Sequence, residues 1–358
     1  MKAPLGIPIW TIVTPLVALL LLAISPLFHT PLYAILPGIV LIITVLSAVN
    51  HAEMIAHRTG EPYGTLILAV AVTIIEVSLI LSLMLAGGPG AEALARDTVF
   101  AAVMIILTGL VGLCLLAGGF RHREQRFGQQ GANTALITLT AITVLTLVLP
   151  NYTTTVPGPV YSRPQLIFVA IISLVLYGTF VGVQTVRHRD YFLTDGAKEQ
   201  HTSPPGGNMA LVVALVLLIA GLTAVVLLAK KLAPTIESGV VGMGAPKSLV
   251  GVIVAAVILL PEGLAAVKAA RQNRLQTSLN LALGSALASI GLTIPAVAFA
   301  SMAVGLDVTL GLDAKSMVLL VLSLFTVTLS LATGRTTILQ GTVLLVLFAV
   351  YLFTTIFP

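Results

Sequence analysis

The chain has 358 residues, 58% of them hydrophobic and only 9% charged, with a mean hydropathy of +1.09. That composition lies far outside the range of soluble globular domains and indicates an integral membrane protein with little chain left for a soluble domain. The formal charge of +5 comes without a basic globular patch or interleaved aromatic residues, which argues against a nucleic-acid surface, and the single cysteine, Cys114, excludes an intrachain disulfide.

The N-terminal stretch "MKAPLGIPIWTIVTPLVALLLLAISP" sets one lysine ahead of an apolar run at about 8–25. No small-residue cleavage pattern follows it, so residues 1–30 are expected to remain as a first span. Apolar runs bounded by charge, proline or glycine then fall at about 33–57, 63–86, 98–119, 132–150 and 165–187. Cys114, inside the fourth run, reads as a small core residue. The joint "RHRDYFLTDGAKEQHTSPPGGN" at 187–208 has the mixed charge, Pro and Gly of a mobile linker. Five more runs follow it, at about 209–229, 247–269, 275–303, 315–333 and 337–357. Eleven transmembrane helices are therefore predicted, in an all-α membrane protein.

Assigning loops alternately to the two membrane faces tests that count. On the N-terminal side lie Lys2, Arg58, Arg121, Arg123, Arg126, Arg187, Arg189, Lys198, Lys268, Arg271, Arg274 and Arg335. Only Arg96, Arg163, Lys230, Lys231, Lys247 and Lys315 lie on the other. Because cytoplasmic loops keep the excess of positive charge, the N-terminus is expected in the cytoplasm and the C-terminus outside. With the extra first helix set aside, five helices (31–189) precede a cytoplasmic linker (190–208) and five (209–358) follow it. An odd number per half gives the halves opposite orientations, the arrangement of two inverted five-helix repeats found in secondary transporters.

Two carboxylates interrupt the apolar runs, each in the second helix of its set of five: Glu76 in "LILAVAVTIIEVSLILSLML" and Glu262 in "ILLPEGLAAV". A charge at the centre of a span costs about 2.5–3.5 kcal/mol on insertion scales, and no Lys or Arg lies near either acid within its own segment. Together they read as one site at mid-membrane depth. Pro261 removes a backbone donor and frees the carbonyl of Val257, while Gly263 permits close approach. Hydroxyls and an amide are available at Thr73, Ser78, Asn280, Ser285 and Ser289. Ser285 and Ser289 share a helix face, although Ser and Thr in spans commonly bond back to their own helix or join helices. Such hard oxygens suit Na+, K+ or Ca2+, and protons compete for the same carboxylates. His51, Glu53, His57 and Glu61 crowd "NHAEMIAHRTGEPYG" at the end of the second helix, as an interfacial network or as a gate and pH sensor. Asp97 reads as a favourable charge at a helix N-terminus, and "RHREQR" at 121–126 as a topology signal.

"HAEMIAHRTGEPYGTLILAVAVTIIEVSLI" and "LLPEGLAAVKAARQNRLQTSLNLALGSALASIGLTIP" resemble the two signature regions of the cation/calcium exchanger superfamily. Within it the sequence is most similar to the ChaA-type bacterial calcium/proton and sodium/proton antiporters, and "RDTVF", "TGLVGL" and "TGRTTILQG" fit as well. The resemblance runs from about residue 50 to the C-terminus, broken by the linker. It implies an extra first helix followed by two inverted five-helix repeats, each carrying a Gly-Asn-x-x-Glu motif whose acid binds the ion. Those acids fall on Glu76 and Glu262, while the Asn positions fall on Thr73 and Leu259. Fewer neutral oxygens favour a monovalent ion, or leave Ser285 and Asn280 to substitute. The acidic cluster that some relatives carry between the halves is reduced to Asp190, Asp195 and Glu199.

The expected protein is not an enzyme and needs no cofactor. Its partners are inorganic cations, protons and the lipid bilayer of a bacterial cytoplasmic membrane. It exchanges cytoplasmic calcium, or sodium and potassium, for external protons by alternating access. A monovalent-cation antiporter with little calcium transport, a passive cation channel and a non-transporting membrane scaffold are the alternatives.

Overall fold

A computed structural model describes residues 7–24, 32–59, 63–87, 90–192, 207–242 and 244–357. Twelve α-helices are present among them: α1 Ile9–Ile24, α2 Leu32–Thr59, α3 Tyr63–Ala86, α4 Leu94–Met104, α5 Val111–His122, α6 Gln129–Thr143, α7 Arg163–Gly182, α8 Gly207–Gly242, α9 Ser248–Arg271, α10 Leu275–Val304, α11 Ala314–Leu331 and α12 Ile338–Ile356. A π-helical segment, Ile105–Leu110, joins α4 to α5 as one span. Similar π turns at Val144–Val148 and Val183–Arg187 extend α6 and α7. Among the described residues ten spans are long and apolar enough to cross a bilayer, and the shorter apolar α1 precedes them. This is the multi-pass, all-α architecture expected from the hydropathy.

One boundary departs from expectation. The helix predicted to stop near 229 continues to Gly242, through Lys230, Lys231 and Pro234. The lysine pair closes the apolar stretch without closing the helix, because Lys, like the flanking Leu and Ala, is a good helix former; beyond Leu232 the helix runs on through Pro234 and Gly239, against their propensity. About 15 Å of α8 thus extends past Leu232, where the apolar stretch ends. Other ends follow the sequence closely. The side chain of Gln165 accepts the Ser162 backbone N–H at 2.9 Å at the start of α7, and Gln340 does the same for Thr337 at 2.8 Å before α12, closing capping boxes.

The chain divides into two compact units, each drawing on both sides of the linker. The first spans residues 1–91 and 199–243, and the second spans 92–198 and 244–358. In the first unit, α1, α2, α3 and α8 pack together. Ser47 and His51 of α2 both reach the Thr11 carbonyl of α1, Ser47 Oγ donating at 2.8 Å and His51 Nε2 standing at 3.0 Å. At the start of α3, a Cβ on Gly64 would stand 2.3 Å from the Ala56 carbonyl oxygen, so only glycine lets α3 approach α2 there.

In the second unit, the span α4–α5 and the helix α9 run parallel. Gly251 abuts Asp97 and Thr98, Gly263 faces Leu110, and His122 Nε2 lies 3.0 Å from the Arg271 carbonyl oxygen. α12 runs antiparallel to α5, with Gly112 and Gly341 at the crossing, where small residues let the backbones meet. Loops gather at two ends of this unit. At one end β1 (Gln125–Arg126) pairs antiparallel with β2 (Arg335–Thr336), Gln125 Nε2 donates to Ala270 O at 2.9 Å, and Gln276 Nε2 donates to Tyr191 O at 3.4 Å. At the other end Gly311 N donates to Pro159 O, Leu312 N donates to Leu147 O, and Thr309 N donates to Glu92 O, each at 2.9 Å. Nine described cations (in 121–126, 187–189, 268–274 and at 335) belong to the first end, and Arg96, Arg163, Lys247 and Lys315 to the second. Between the spans at that second end, burial pushes the Tyr161 phenol up to about 12, so it stays neutral and donates to Leu145 O at 2.5 Å.

Candidate cation-binding positions

Glu76 stands thirteen residues after the start of α3 and Glu262 fourteen after the start of α9, and both helices have 24 residues. The two acids thus hold nearly equivalent places, about 20 Å along their helices. Around α3 the exposed side chains Leu66, Val70 and Ile74 form one stripe at four-residue spacing. Glu76 lies two residues, or about 200°, from Ile74, on the opposite side. It is 1% exposed. α9 repeats the pattern: Ile253, Leu260 and Leu264 are exposed, while Glu262 shares its face with the buried Ala255, Ile258 and Ala266. Glu262 itself is half-buried. An acid set away from the lipid-facing stripe avoids the cost of charge against acyl chains.

The neutral candidates separate by position. Thr73 is buried one turn before Glu76 on the same face, and its hydroxyl donates to Ala69 O at 2.8 Å, which leaves its oxygen lone pairs to serve as a ligand. Ser78, half-buried, lies about 200° from Glu76 and nearer the face of Ile74. Pro261 sits inside the continuous helix α9, so the Val257 carbonyl lacks its i+4 donor.

α9 and α10 pack together, joined by the turn at 272–274. Glu262 is about 14 Å before the end of α9, and Ser285 about 15 Å after the start of α10, so they lie at one depth. Ser289, buried, lies one turn beyond. Asn280 is only about 8 Å into α10, and its amide is engaged in tethering: Nδ2 donates to Phe192 O at 2.5 Å, and Oδ1 accepts from Gln276 at 2.9 Å.

The group at the end of α2 is divided. His51 is fully buried against Thr11, Glu53 is half-buried and His57 is exposed; Glu61 lies outside the described residues. The Thr11 anchor was not anticipated, although Thr44, Ser47 and His51, at i, i+3 and i+7, mark a polar face on an apolar helix. Asp97 is in the first turn of α4, 2.8 Å from Arg96 Nε, and Arg96 Nη1 donates to Gly311 O at 3.0 Å, so the pair ties down a loop. Cys114 is a buried free thiol. Among the described residues no group of three or more His, Cys, Asp or Glu assembles. The donors on offer are single carboxylates, hydroxyls and carbonyls, which are hard oxygen ligands.

The family described as "Sodium/calcium exchanger protein" matches the chain in two stretches, residues 29–186 and 213–357. A Sinorhizobium fredii protein named as an ionic transporter is 47% identical over 359 residues, covering 98% of this chain and 97% of its own length. The sodium-potassium/proton antiporter ChaA of Escherichia coli is 40% identical over 316 residues, covering 87% and 85%. Among solved structures, native YfkE superposes with a TM-score of 0.75 at 18% identity, covering 97% of this chain and 100% of its own. With both halves matched and its fold shared with a solved structure, this chain belongs to the sodium/calcium exchanger protein family.

Proposed function

We propose that the protein is a secondary antiporter of the bacterial cytoplasmic membrane, which exchanges a cytoplasmic cation for external protons by alternating access. The observation that carries this reading is the equivalence of Glu76 and Glu262: one acid per half, at the same step of two 24-residue apolar helices, each turned from the lipid-facing side. Two inverted five-helix repeats account for that equivalence, and the two separate family matches support them. The lysine and arginine excess at one end of the second unit supports a cytoplasmic placement of that end and of the N-terminus, with the C-terminus outside.

In this mechanism the two carboxylates form one site, completed by Thr73, the Val257 carbonyl and Ser285. The ionised pair binds the cation; each acid takes up a proton on the return leg. An ionised pair without a cation is too costly in a low-dielectric interior for the empty carrier to reorient often, and this enforces exchange over leak. Ca2+, Na+ and K+ all suit oxygen ligands. The monovalent ions are favoured, because Leu259 offers no side-chain oxygen and the relative at 40% identity is named a sodium-potassium/proton antiporter.

Uptake into everted vesicles tests the reading. Acid imposed inside should drive entry of Na+ or K+, with weaker Ca2+ entry, and Glu76→Gln or Glu262→Gln should abolish it. Exchange retained in both variants would refute the assignment. Flux that needs no proton gradient and returns no protons would identify a channel.

A further inference from the structure

A groove of about 980 Å³ runs along the second unit between α4–α5, α9 and α12. Its walls are aliphatic or aromatic over the length of the spans, with Leu110, Leu113, Leu260, Leu264, Leu345 and Phe348 as the main surfaces. Gly263 keeps the floor open; the nearest atom that a Cβ there would meet is Leu110 Cδ1, at 3.7 Å. Charge is confined to one end. Arg121 and His122 close α5, Lys268 and Arg271 close α9, and all four line the groove.

Cations at helix C-termini offset the helix dipoles, and basic loops set topology, so part of this cluster has a plain structural reading. Neither reading accounts for cations at the mouth of an apolar trough. Among the described residues no carboxylate pairs with Arg121, Lys268 or Arg271; nearby Glu124 is directed instead at Arg126 and Arg335, at 3.8 and 3.6 Å. His122 is held against the Arg271 carbonyl, which fixes the two helix ends side by side. A trough in the hydrocarbon layer is filled by an acyl chain, and unpaired cations at its mouth select the headgroup joined to that chain.

We propose that this groove is a binding site for an anionic phospholipid, with one acyl chain lying along Leu113, Leu260 and Leu264 and the phosphate held by Arg121, Lys268 and Arg271. The proposal is independent of which cation is transported.

Native mass spectrometry of the purified full-length protein tests this, with phosphatidylglycerol and phosphatidylcholine of identical chains supplied in equal amounts. Phosphatidylglycerol should be retained in preference, and each cation replaced by Gln at Arg121, Lys268 or Arg271 should lower the preference by roughly fivefold at low salt. Leu264→Trp, which fills the trough and keeps the charges, should weaken retention of both lipids. It gives a readout even if a Gln variant fails to fold. Equal retention of the two lipids by the wild-type protein would overturn the proposal. So would undiminished phosphatidylglycerol on the Gln variants, or displacement of the lipid by glycerol phosphate as readily as by phosphatidylglycerol, the mark of a simple anion site. Disulfide-linked dimers of Leu264→Cys in membranes would do so as well, by showing a second copy on this face.

Discussion

α3 and α9 have the same length and carry an acid at nearly the same step, yet they treat it differently. α3 is uninterrupted around Glu76, which is 1% exposed between Ile75 and Leu79, themselves 1% and 4% exposed. α9 has Pro261 beside Glu262 and Gly263 after it, and Glu262 keeps part of its surface accessible although Ile258 and Ala266 on its face are 2% and 0% exposed. One acid is set in a stiff, closed wall; the other stands where the backbone has a spare carbonyl and its neighbour has no side chain. Equivalent positions therefore need not be equal partners: in the proposed mechanism the α9 position, with the looser geometry, is the one where a cation exchanges more easily.

Neutralising either acid is expected to have the largest effect and would break the comparison if it did not. Glu76→Gln and Glu262→Gln should each reduce vesicle exchange to background, and an active Glu262→Gln beside an inactive Glu76→Gln would leave α3 carrying the site alone. Shortening the acids sharpens the contrast. Glu76→Asp, enclosed by side chains that cannot follow, should lose on the order of a hundredfold in transport rate, and Glu262→Asp, where water can bridge, about tenfold or less. Pro261→Ala returns a helical donor to the Val257 carbonyl. Cation-induced proton release from purified protein should then need roughly fivefold more cation, about the worth of one ligand hydrogen bond, with no loss of thermal stability. Smallest in its effect on transport, Asn280→Ala should leave the cation titration unchanged and lower stability by about 1–3 kcal/mol, read from the unfolding midpoint, because the Phe192 carbonyl loses its donor.

Much of this was legible in the sequence because hydropathy acts locally. A bilayer requires every span to be long, apolar and hydrogen-bonded within itself, so composition alone marked the runs that became helices. The two acids stood out for the same reason, since a carboxylate in such a run is costly. Where hydropathy stops deciding, the expectation failed: Lys230 and Lys231 marked only the end of the oil, and α8 continues past them to Gly242. Asn280 and Ser285 could not be ranked from spacing either. Depth along α10 and the position of the Phe192 carbonyl, 88 residues away in sequence, separate them.

The sequence by itself determined that the chain crosses a membrane many times, with one acid in each half and positive charge gathered in alternate loops, because transfer of apolar and charged groups into lipid depends on the residues of each segment. Only the tertiary structure decided which side of a helix each acid takes, that α5 and α9 run parallel to end in one basic cluster, and that Thr11 anchors His51. Those depend on which backbones come within van der Waals reach, and small residues such as Gly112 and Gly251 set that reach through packing partners distant in the chain.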